Sequence, residues 1–171
     1  MKKTAVITGA SGGIGEAICR RLARDGYNII IHYNQNKSKA EKLALEIKEF
    51  FGVDTLTVQC DLSEEGSGKM LGEKIKVLTE NVDLLVNNAG LSLVGVFQCL
   101  DAVSVRKLLN TNLNSAMDLT AELLPLMIRE QKGNIINISS VWGVIGGSCE
   151  VHYSASKAGL IGAAKSLAIE L

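Results

Sequence analysis

Three residues near one end of the sequence have the types and the spacing needed to pass a proton to an oxygen atom. Tyr153 and Lys157 are four positions apart, so on a helix they lie on one face, one turn apart. An ammonium group beside a phenol stabilises the phenolate, which makes a tyrosine usable as a general acid near neutral pH. Ser140 ends an apolar run, GNIINIS, that predicts a strand, and a strand, loop and helix can bring it back towards Tyr153. A tyrosine and a lysine at this spacing also occur as an ordinary solvated pair, so the rest of the sequence must decide between the two interpretations.

The composition limits the class of protein. The chain has 171 residues, of which 47% are hydrophobic and 21% charged, and its formal net charge is zero. This is enough for a single domain, residues 1–171, with a sizeable core. A neutral chain with three Phe, three Tyr and one Trp has neither a basic field nor a stacking platform for nucleic acid. We therefore expect no nucleic-acid partner and no membrane partner.

Cysteine and histidine do not form a metal-binding pattern. The four cysteines are far apart, with no Cys-x-x-Cys pair, and there are two histidines. We expect no metal site, and small buried thiols in a reducing cytosol. The N-terminal stretch MKKTAVITGASGG is too short in its apolar part for a signal peptide or a membrane span. We expect a cytoplasmic protein.

Short apolar runs alternate with helical segments along the whole chain. Strands are predicted at residues 4–8, 28–33, 55–59, 82–86 and within 133–139. Helices are predicted at residues 14–25, 37–51, 63–79, 103–131 and 152–171. Ser63 is the expected N-cap of the third helix, and Pro125 is expected to kink the fourth without ending it. The alternation predicts the α/β class, with a Rossmann-type doubly wound parallel sheet covered on both sides.

The turn after the first strand, TGASGGIG, has the composition of a phosphate-binding loop. Gly9, Gly13 and Gly15 would let the backbone approach a pyrophosphate, and the helix that follows offers amide groups and a positive dipole. Ser11 and Ile14 lie in the same turn and are expected contacts. The spacing, Gly-x-x-x-Gly-x-Gly, differs from the commonest dinucleotide fingerprint. The alternative is a glycine turn that serves only the fold.

The end of the second strand indicates which nicotinamide cofactor fits. A carboxylate at this place holds the 2′-hydroxyl of NAD and repels the 2′-phosphate of NADP. The sequence after the strand contains Asn34, Asn36, Lys37 and Ser38 but no carboxylate. The cofactor is therefore expected to be NADP(H) rather than NAD, with these four residues near its adenosine ribose.

Polar or small residues follow the third and fourth strands. Asp61 is a candidate acceptor for the adenine amino group, or equally the start of a helix cap at Ser63, and Leu62 lies beside it. After the fourth strand, Asn88, Ala89 and Gly90 leave room for a flat cofactor. The asparagines of this run are expected to tie the loops to the strands.

Taken in order, these motifs resemble the short-chain dehydrogenase/reductase family. The resemblance rests on TGASGGIG, NNAG, the asparagine in NTNLN, Ser140 and YSASK, and it covers the whole chain. It implies a catalytic tetrad of Asn112, Ser140, Tyr153 and Lys157. In the family, the tyrosine protonates the substrate carbonyl oxygen and the serine hydrogen-bonds that oxygen. The lysine supports the tyrosine and holds the nicotinamide ribose, so Tyr153 and Lys157 also contact the cofactor, and the asparagine positions a water molecule.

Within the family, HYNQNKSKAEKL and LLPLMIREQKGNIINISS are most similar to the 3-oxoacyl-[acyl-carrier-protein] reductase branch. That branch implies NADPH-dependent reduction of a small or carrier-bound ketone in fatty acid biosynthesis. Arg129 and Lys132 are then either a carrier-docking patch or a solvated helix end. The run SSVWGVIGGSCEVHYSASK also resembles the reductase of the 5-aminopentanone modification on elongation factor P. That resemblance implies that Trp142 and Glu150 border the active site and that Glu150 faces an amine of the substrate. The alternative is that both side chains only pack within the loop.

Two other functions stay open at this point, namely oxidation of a sugar or steroid alcohol, and cofactor binding without catalysis. The resemblance implies two further strands, a Pro-Gly turn and a substrate lid, whereas no proline follows Pro125. We therefore expect a shortened family fold that leaves its fifth strand as an exposed edge. One hypothesis is therefore that such a chain binds the adenosine half of NADP(H) without steady turnover. Homo-oligomers are expected to form through residues 103–131 and 152–171.

Overall fold

A computed structural model of the protein describes residues 3–171. Its strands are β1 (Thr4–Ile7), β2 (Asn28–Tyr33), β3 (Thr55–Gln59), β4 (Leu84–Asn87) and β5 (Asn134–Asn137). Its α-helices are α1 (Gly13–Arg24), α2 (Lys37–Phe51), α3 (Ser67–Leu78), α4 (Ala102–Leu109), α5 (Ser115–Arg129), α6 (Trp142–Ile145) and α7 (Val151–Glu170). A 3₁₀ turn spans Phe97–Cys99 and a π-helical turn spans Asn110–Asn114.

The five strands form one parallel sheet in the order β3-β2-β1-β4-β5. Successive residues of a strand point to opposite faces, so Ile29 and Ile31 pack with α1 and α2, whereas Ile30 packs with α3 and α5. Each face therefore has its own apolar core. This arrangement confirms the predicted doubly wound α/β fold, and it places the loops after β1, β2, β3 and β4 at one edge, where such folds bind ligands.

Most predicted elements lie within a few residues of the observed ones, and β2, α2 and β3 have the expected bounds. The predicted start of α3 is wrong. The Ser63 amide donates to Asp61 Oδ1 in a tight turn, and Gly66 adopts a left-handed conformation before the helix begins at Ser67. Asp61 therefore organises this loop in place of the expected cap at Ser63. Pro125 lies inside α5 and does not end it.

The sheet ends at β5, whose outer edge has no neighbouring strand in the described chain. Ile136 is 46% exposed there, as the sequence predicts for a strand without cover. A cleft of about 690 Å³ lies between α5, β5 and α7. Among residues 3–171, no helix combines the length and the hydrophobicity required to span a bilayer.

Candidate active site

Helix α7 carries Tyr153 and Lys157 on one face, as their spacing predicts. Lys157 is buried, and its Nζ donates a 2.7 Å hydrogen bond to the carbonyl oxygen of Ile138, just after β5. The same Nζ lies 5.8 Å from the centroid of the Tyr153 ring. Burial lowers the pKa of Lys157. The lysine therefore joins the sheet to the tyrosine and holds its ammonium group next to the phenol ring.

Asn112 reaches the same place from the π-helical turn between α4 and α5. Its buried amide exchanges two hydrogen bonds with the Leu91 backbone, at 2.8 and 2.9 Å, and donates a third to Ser156 Oγ on α7 at 3.2 Å. A Cβ at Gly90 would lie 3.4 Å from Lys157 Nζ and 3.5 Å from Asn112 Oδ1. Asn112 and Lys157 therefore meet beside Gly90. The π-helical turn, a feature common at functional sites, was not predicted.

Ser140 lies between β5 and α6. The residues on both sides of Ser140 pack against α7. Ser139 Oγ donates to the Lys157 carbonyl at 2.8 Å. A Cβ at Gly143 would lie 2.8 Å from the Lys157 carbonyl carbon, so only glycine lets the two segments pack this closely. The Ser140 hydroxyl accepts a hydrogen bond from the Trp142 amide at 3.2 Å. In the described chain no hydrogen bond joins Ser140 to Tyr153.

The glycine turn is held tightly against the loop that follows β4. Gly9 has a φ of +62°, and a Cβ there would lie 2.9 Å from the Ala89 Cα. A Cβ at Gly15 would lie 2.5 Å from the Gly9 oxygen. Glycine is therefore required at both positions. Gly13 faces open space, and Gly12 at the N-cap of α1 has no side chain to cap the helix, so the first amides of α1 remain available to an anion.

Thr8 and Asn88 supply the hydrogen bonds of this junction. Thr8 Oγ1 accepts from the amides of Asn88 and Ala89, each at 2.9 Å. Asn88 Nδ2 donates to the carbonyl oxygens of Thr8, at 2.8 Å, and Gly9, at 3.3 Å. Behind it, Asn87 joins Thr120 on α5 to Asn137 on β5. The asparagine run thus ties loops to strands as expected, whereas the role of Thr8 was missed because a threonine ending a strand carries no distinctive signal.

His32, at the end of β2, is a second residue that the sequence analysis did not assign. Its Nδ1 accepts a hydrogen bond from the Gly9 amide at 3.0 Å, and its Nε2 lies 3.0 Å from the Cys60 carbonyl oxygen. Burial lowers its pKa from 6.5 to about 4. A lone histidine inside the apolar run NIIIHY is the only sequence signal for this role.

The candidate adenosine contacts lie together beyond β2 and β3. Asn34, Asn36, Lys37 and Ser38 are all exposed. The backbone amide of Ser63 donates to Asp61 and lowers the pKa of that carboxyl, and Asn34 is a further hydrogen-bond partner. The Leu62 side chain is buried in the core, so only its backbone remains for a ligand. Ser11 in the glycine turn is half-buried, and Ile14 in the first turn of α1 is 64% exposed.

The loops on either side of the candidate site are also joined to each other. Ser92 Oγ donates to Glu150 Oε1 at 2.7 Å, and the Gly95 amide donates to the Cys149 carbonyl at 2.8 Å. The rings of Phe97 and His152 stack with centroids 5.0 Å apart. Trp142 begins α6, which packs against α7, and Glu150 is the N-cap residue of α7, in the turn before Tyr153. Within residues 3–171, no three His, Cys, Asp or Glu side chains are grouped as metal ligands.

Comparison with known protein sequences places this arrangement in a family. The chain is 41% identical over 172 residues to the oxidoreductase YmfI of Bacillus subtilis, covering all of this chain and 69% of the relative. It is 37% identical over 171 residues to the 3-oxoacyl-[acyl-carrier-protein] reductase FabG of Staphylococcus aureus, again covering 69% of the relative.

Solved structures share the fold at similar coverage. A short-chain dehydrogenase from Sphingobium yanoikuyae, in complex with NADPH, matches with a TM-score of 0.91 at 28% identity, over 99% of this chain and 65% of that one. A metagenomic short-chain oxidoreductase with NADP matches with a TM-score of 0.92 at 33% identity, over 99% of this chain and 75% of that one. The family model of the short chain dehydrogenases matches residues 3–171. The protein therefore belongs to the short-chain dehydrogenase family and is an oxidoreductase with a Rossmann-type fold.

Proposed function

We propose that the protein is an NADPH-dependent carbonyl reductase that reduces a 3-oxoacyl thioester of the kind presented on acyl carrier protein. One observation carries the proposal. The buried Lys157 ammonium is held between the Ile138 carbonyl and the Tyr153 ring, with Asn112 beside it at Gly90. A charge fixed next to a phenol in a site of low dielectric stabilises the phenolate that remains after proton donation.

The protein residues supply proton transfer and orientation. Bound NADPH would supply the hydride, which is the chemistry of the cofactor. The Tyr153 hydroxyl donates its proton to the carbonyl oxygen, and the Ser140 hydroxyl hydrogen-bonds that oxygen as negative charge develops. Lys157 stabilises the resulting phenolate. Asn112 holds the Leu91 backbone and Ser156, which keeps α7 in register with the loop after β4.

The dinucleotide fits the residues present. The uncapped N-terminus of α1 and the open space at Gly13 suit a pyrophosphate. The exposed β2–α2 turn has no carboxylate that would repel a 2′-phosphate, and Lys37 provides an exposed cation at the start of α2. Its ion pair with Glu41 is long, at 3.7 Å, and leaves it exposed. The NADPH and NADP complexes of the related structures support the same choice.

The test is turnover with an acetoacetyl thioester. We expect the protein to oxidise NADPH in its presence, and to do so less well with NADH, as followed by the nicotinamide absorbance. Quenching or shift of NADPH fluorescence measures binding separately. Binding without oxidation would contradict reduction of 3-oxoacyl thioesters. It would leave the alternative of an NADP(H)-binding protein without catalysis and the second substrate described below. Activity with NADH but not with NADPH would contradict the choice of cofactor.

A second candidate is reduction of the 5-aminopentanone modification on elongation factor P, and Glu150 favours it. This half-buried carboxylate lies at the N-cap of α7, the helix that carries Tyr153, and accepts a hydrogen bond from Ser92, yet within residues 3–171 it has no ion-pair partner. A protonated substrate amine would complete the pair.

Glu150→Gln keeps the shape of this side chain and removes its charge. If the aminoketone is the substrate, we expect the catalytic efficiency on it to fall about tenfold or more. The efficiency on acetoacetyl thioesters would serve as the control and stay unchanged. An equal effect on both substrates would contradict a role in recognising the amine.

A further inference from the structure

His32 is a buried titratable residue that the proposed proton transfer does not use. Its side chain is 2% exposed at the end of β2. The Gly9 amide can only donate and the Cys60 carbonyl can only accept, and each lies 3.0 Å from one ring nitrogen. Both hydrogen bonds form together only in a neutral ring with its proton on Nε2. The lowered pKa of His32, which its burial causes, agrees with a neutral ring.

The two partners of the ring belong to different parts of the cofactor site. Gly9 opens the glycine turn, where φ is +62° and no side chain fits. Cys60 precedes Asp61, the candidate adenine contact. The backbone of the same region adds two further hydrogen bonds, from the Ala10 amide to the His32 carbonyl at 2.9 Å and from the Cys60 amide to the Tyr33 carbonyl at 3.1 Å. The imidazole therefore lies between the loops after β1 and β3.

We propose that His32 is a positioning residue for the cofactor, which sets the distance between the pyrophosphate turn and the adenine loop through one neutral imidazole. This inference rests on the proposed binding of NADPH. The ring acts through Gly9 and Cys60 and does not itself touch the nucleotide. An apolar residue of similar size would fill the same space between the strands but would leave the Gly9 amide and the Cys60 carbonyl without these partners.

Three variants separate positioning from simple packing. His32→Asn offers an acceptor near the position of Nδ1, so it retains the partner of Gly9. His32→Gln offers an amide donor near the position of Nε2, so it retains the partner of Cys60. His32→Leu offers neither. We expect the dissociation constant for NADPH to rise about tenfold or more in His32→Leu and by less in the other two, since one net hydrogen bond corresponds to roughly that factor.

Adenosine 2′,5′-bisphosphate lacks the pyrophosphate. Its affinity for each variant therefore shows whether the loss of NADPH affinity comes from the glycine turn or from the loop after β3. We expect His32→Asn to weaken this ligand, because the Cys60 loop has lost its donor. His32→Gln should bind it almost normally and lose affinity mainly for whole NADPH. Equal weakening of both ligands in both variants would overturn the proposed division of roles.

Two measurements need no cofactor. The ¹⁵N resonances of His32 should show a ring protonated at Nε2 and unprotonated at Nδ1. Amide hydrogen exchange should be slow at Gly9 in the unsubstituted protein and in His32→Asn, and faster in His32→Gln and His32→Leu. Ala10 is the internal control, because it bonds to the His32 carbonyl, which every variant keeps. Because the ¹⁵N measurement is made on the unsubstituted protein, a proton on Nδ1 would overturn the proposal even if the variants did not fold.

The two claims fail in different ways. If the unsubstituted protein does not bind NADPH, the proposed function is wrong. If it binds NADPH and His32→Leu binds it equally well, with Gly9 still protected from exchange, the function stands and the role of His32 is wrong. Weaker NADPH binding in folded His32→Leu, together with fast exchange at Gly9, supports the proposal.

Discussion

Two basic side chains are buried at the centre of this molecule, and their partners favour different protonation states. Lys157 is buried as a hydrogen-bond donor to Ile138 and faces the Tyr153 ring, where its positive charge is of use. His32 is buried between a donor and an acceptor, which only its neutral form satisfies. The same desolvation lowers both pKa values, but the surrounding partners determine which protonation state each residue needs.

His32 gives a prediction about stability and pH. Burial lowers its pKa from 6.5 to about 4, the bond to Cys60 and the charge of Asp61 oppose this, and Lys74 adds to it. Between pH 6.5 and pH 4, His32 binds a proton in the unfolded chain but stays neutral in the folded protein. The free energy of unfolding should therefore fall as the pH falls from 6.5 to 4, with about 3 kcal/mol from this residue.

Urea unfolding at several pH values, with the unsubstituted protein and His32→Asn side by side, measures this share. Carboxyl groups whose lowered pKa values do not depend on His32, such as Asp83, lower the free energy of unfolding equally in both proteins as the pH falls, so they cancel in the difference. The variant should lose less stability than the unsubstituted protein over this range. Identical pH profiles would show that His32 is not buried in its neutral form.

The sequence predicted contacts between residues that are close together in the chain. Tyr153 and Lys157 meet because four positions make one helical turn, and this was predictable. The hydrogen bond from Lys157 to the Ile138 carbonyl was not predictable, because the two residues lie 19 positions apart. Asn112 was assigned to the site only through the family resemblance. His32 was missed for the same reason, since its two partners lie 23 and 28 residues away.

Among the elements, the glycine turn and α1 show how a backbone conformation creates a ligand site. Gly9 must accept a positive φ and a close approach to Ala89, whereas Gly13 faces open space at the start of α1. Gly9→Ala should therefore lower the free energy of unfolding by more than about 2 kcal/mol, from the left-handed backbone and the clash together. Gly13→Ala should leave it unchanged or raise it by less than about 1 kcal/mol, because alanine favours a helix. Thermal or urea unfolding compares the two variants, and equal losses in both would contradict this account of the turn.

Elements with strong local signals were predictable, and those governed by loops were not. The apolar run of β2 and the long amphipathic pattern of α2, ended by Gly52 with a φ of +65°, gave the observed bounds. The start of α3 was wrong because Asp61 forms a turn with Ser63 that competes with the helix cap. The π-helical turn around Asn112 depends on contacts with Leu91 and α7, which periodicity does not reveal.

For the whole molecule, helices cover most of both faces of the sheet, whereas β5 is an edge strand in the described residues and one of its faces is partly exposed. Ile138 packs against the core on the side of α1 and α2, and alternation places Ile136 on that same face, where it is 46% exposed. An exposed edge with apolar side chains is a site for pairing between chains. Ile136→Lys should therefore reduce light scattering on heating, measured at equal protein concentration.

The matched control is Val77→Lys, which replaces an 87% exposed valine on α3, away from the sheet edge. This variant should scatter almost as much light as the unsubstituted protein. Equal suppression by both substitutions would show that added charge, and not the β5 edge, controls aggregation.

Catalysis through Tyr153 is the central claim, and Tyr153→Phe tests it most directly, because phenylalanine keeps the ring and removes the proton donor. NADPH oxidation with an acetoacetyl thioester should fall at least about 100-fold, while NADPH binding, measured by fluorescence, stays close to that of the unsubstituted protein. Reductase activity that survives the substitution would contradict the account.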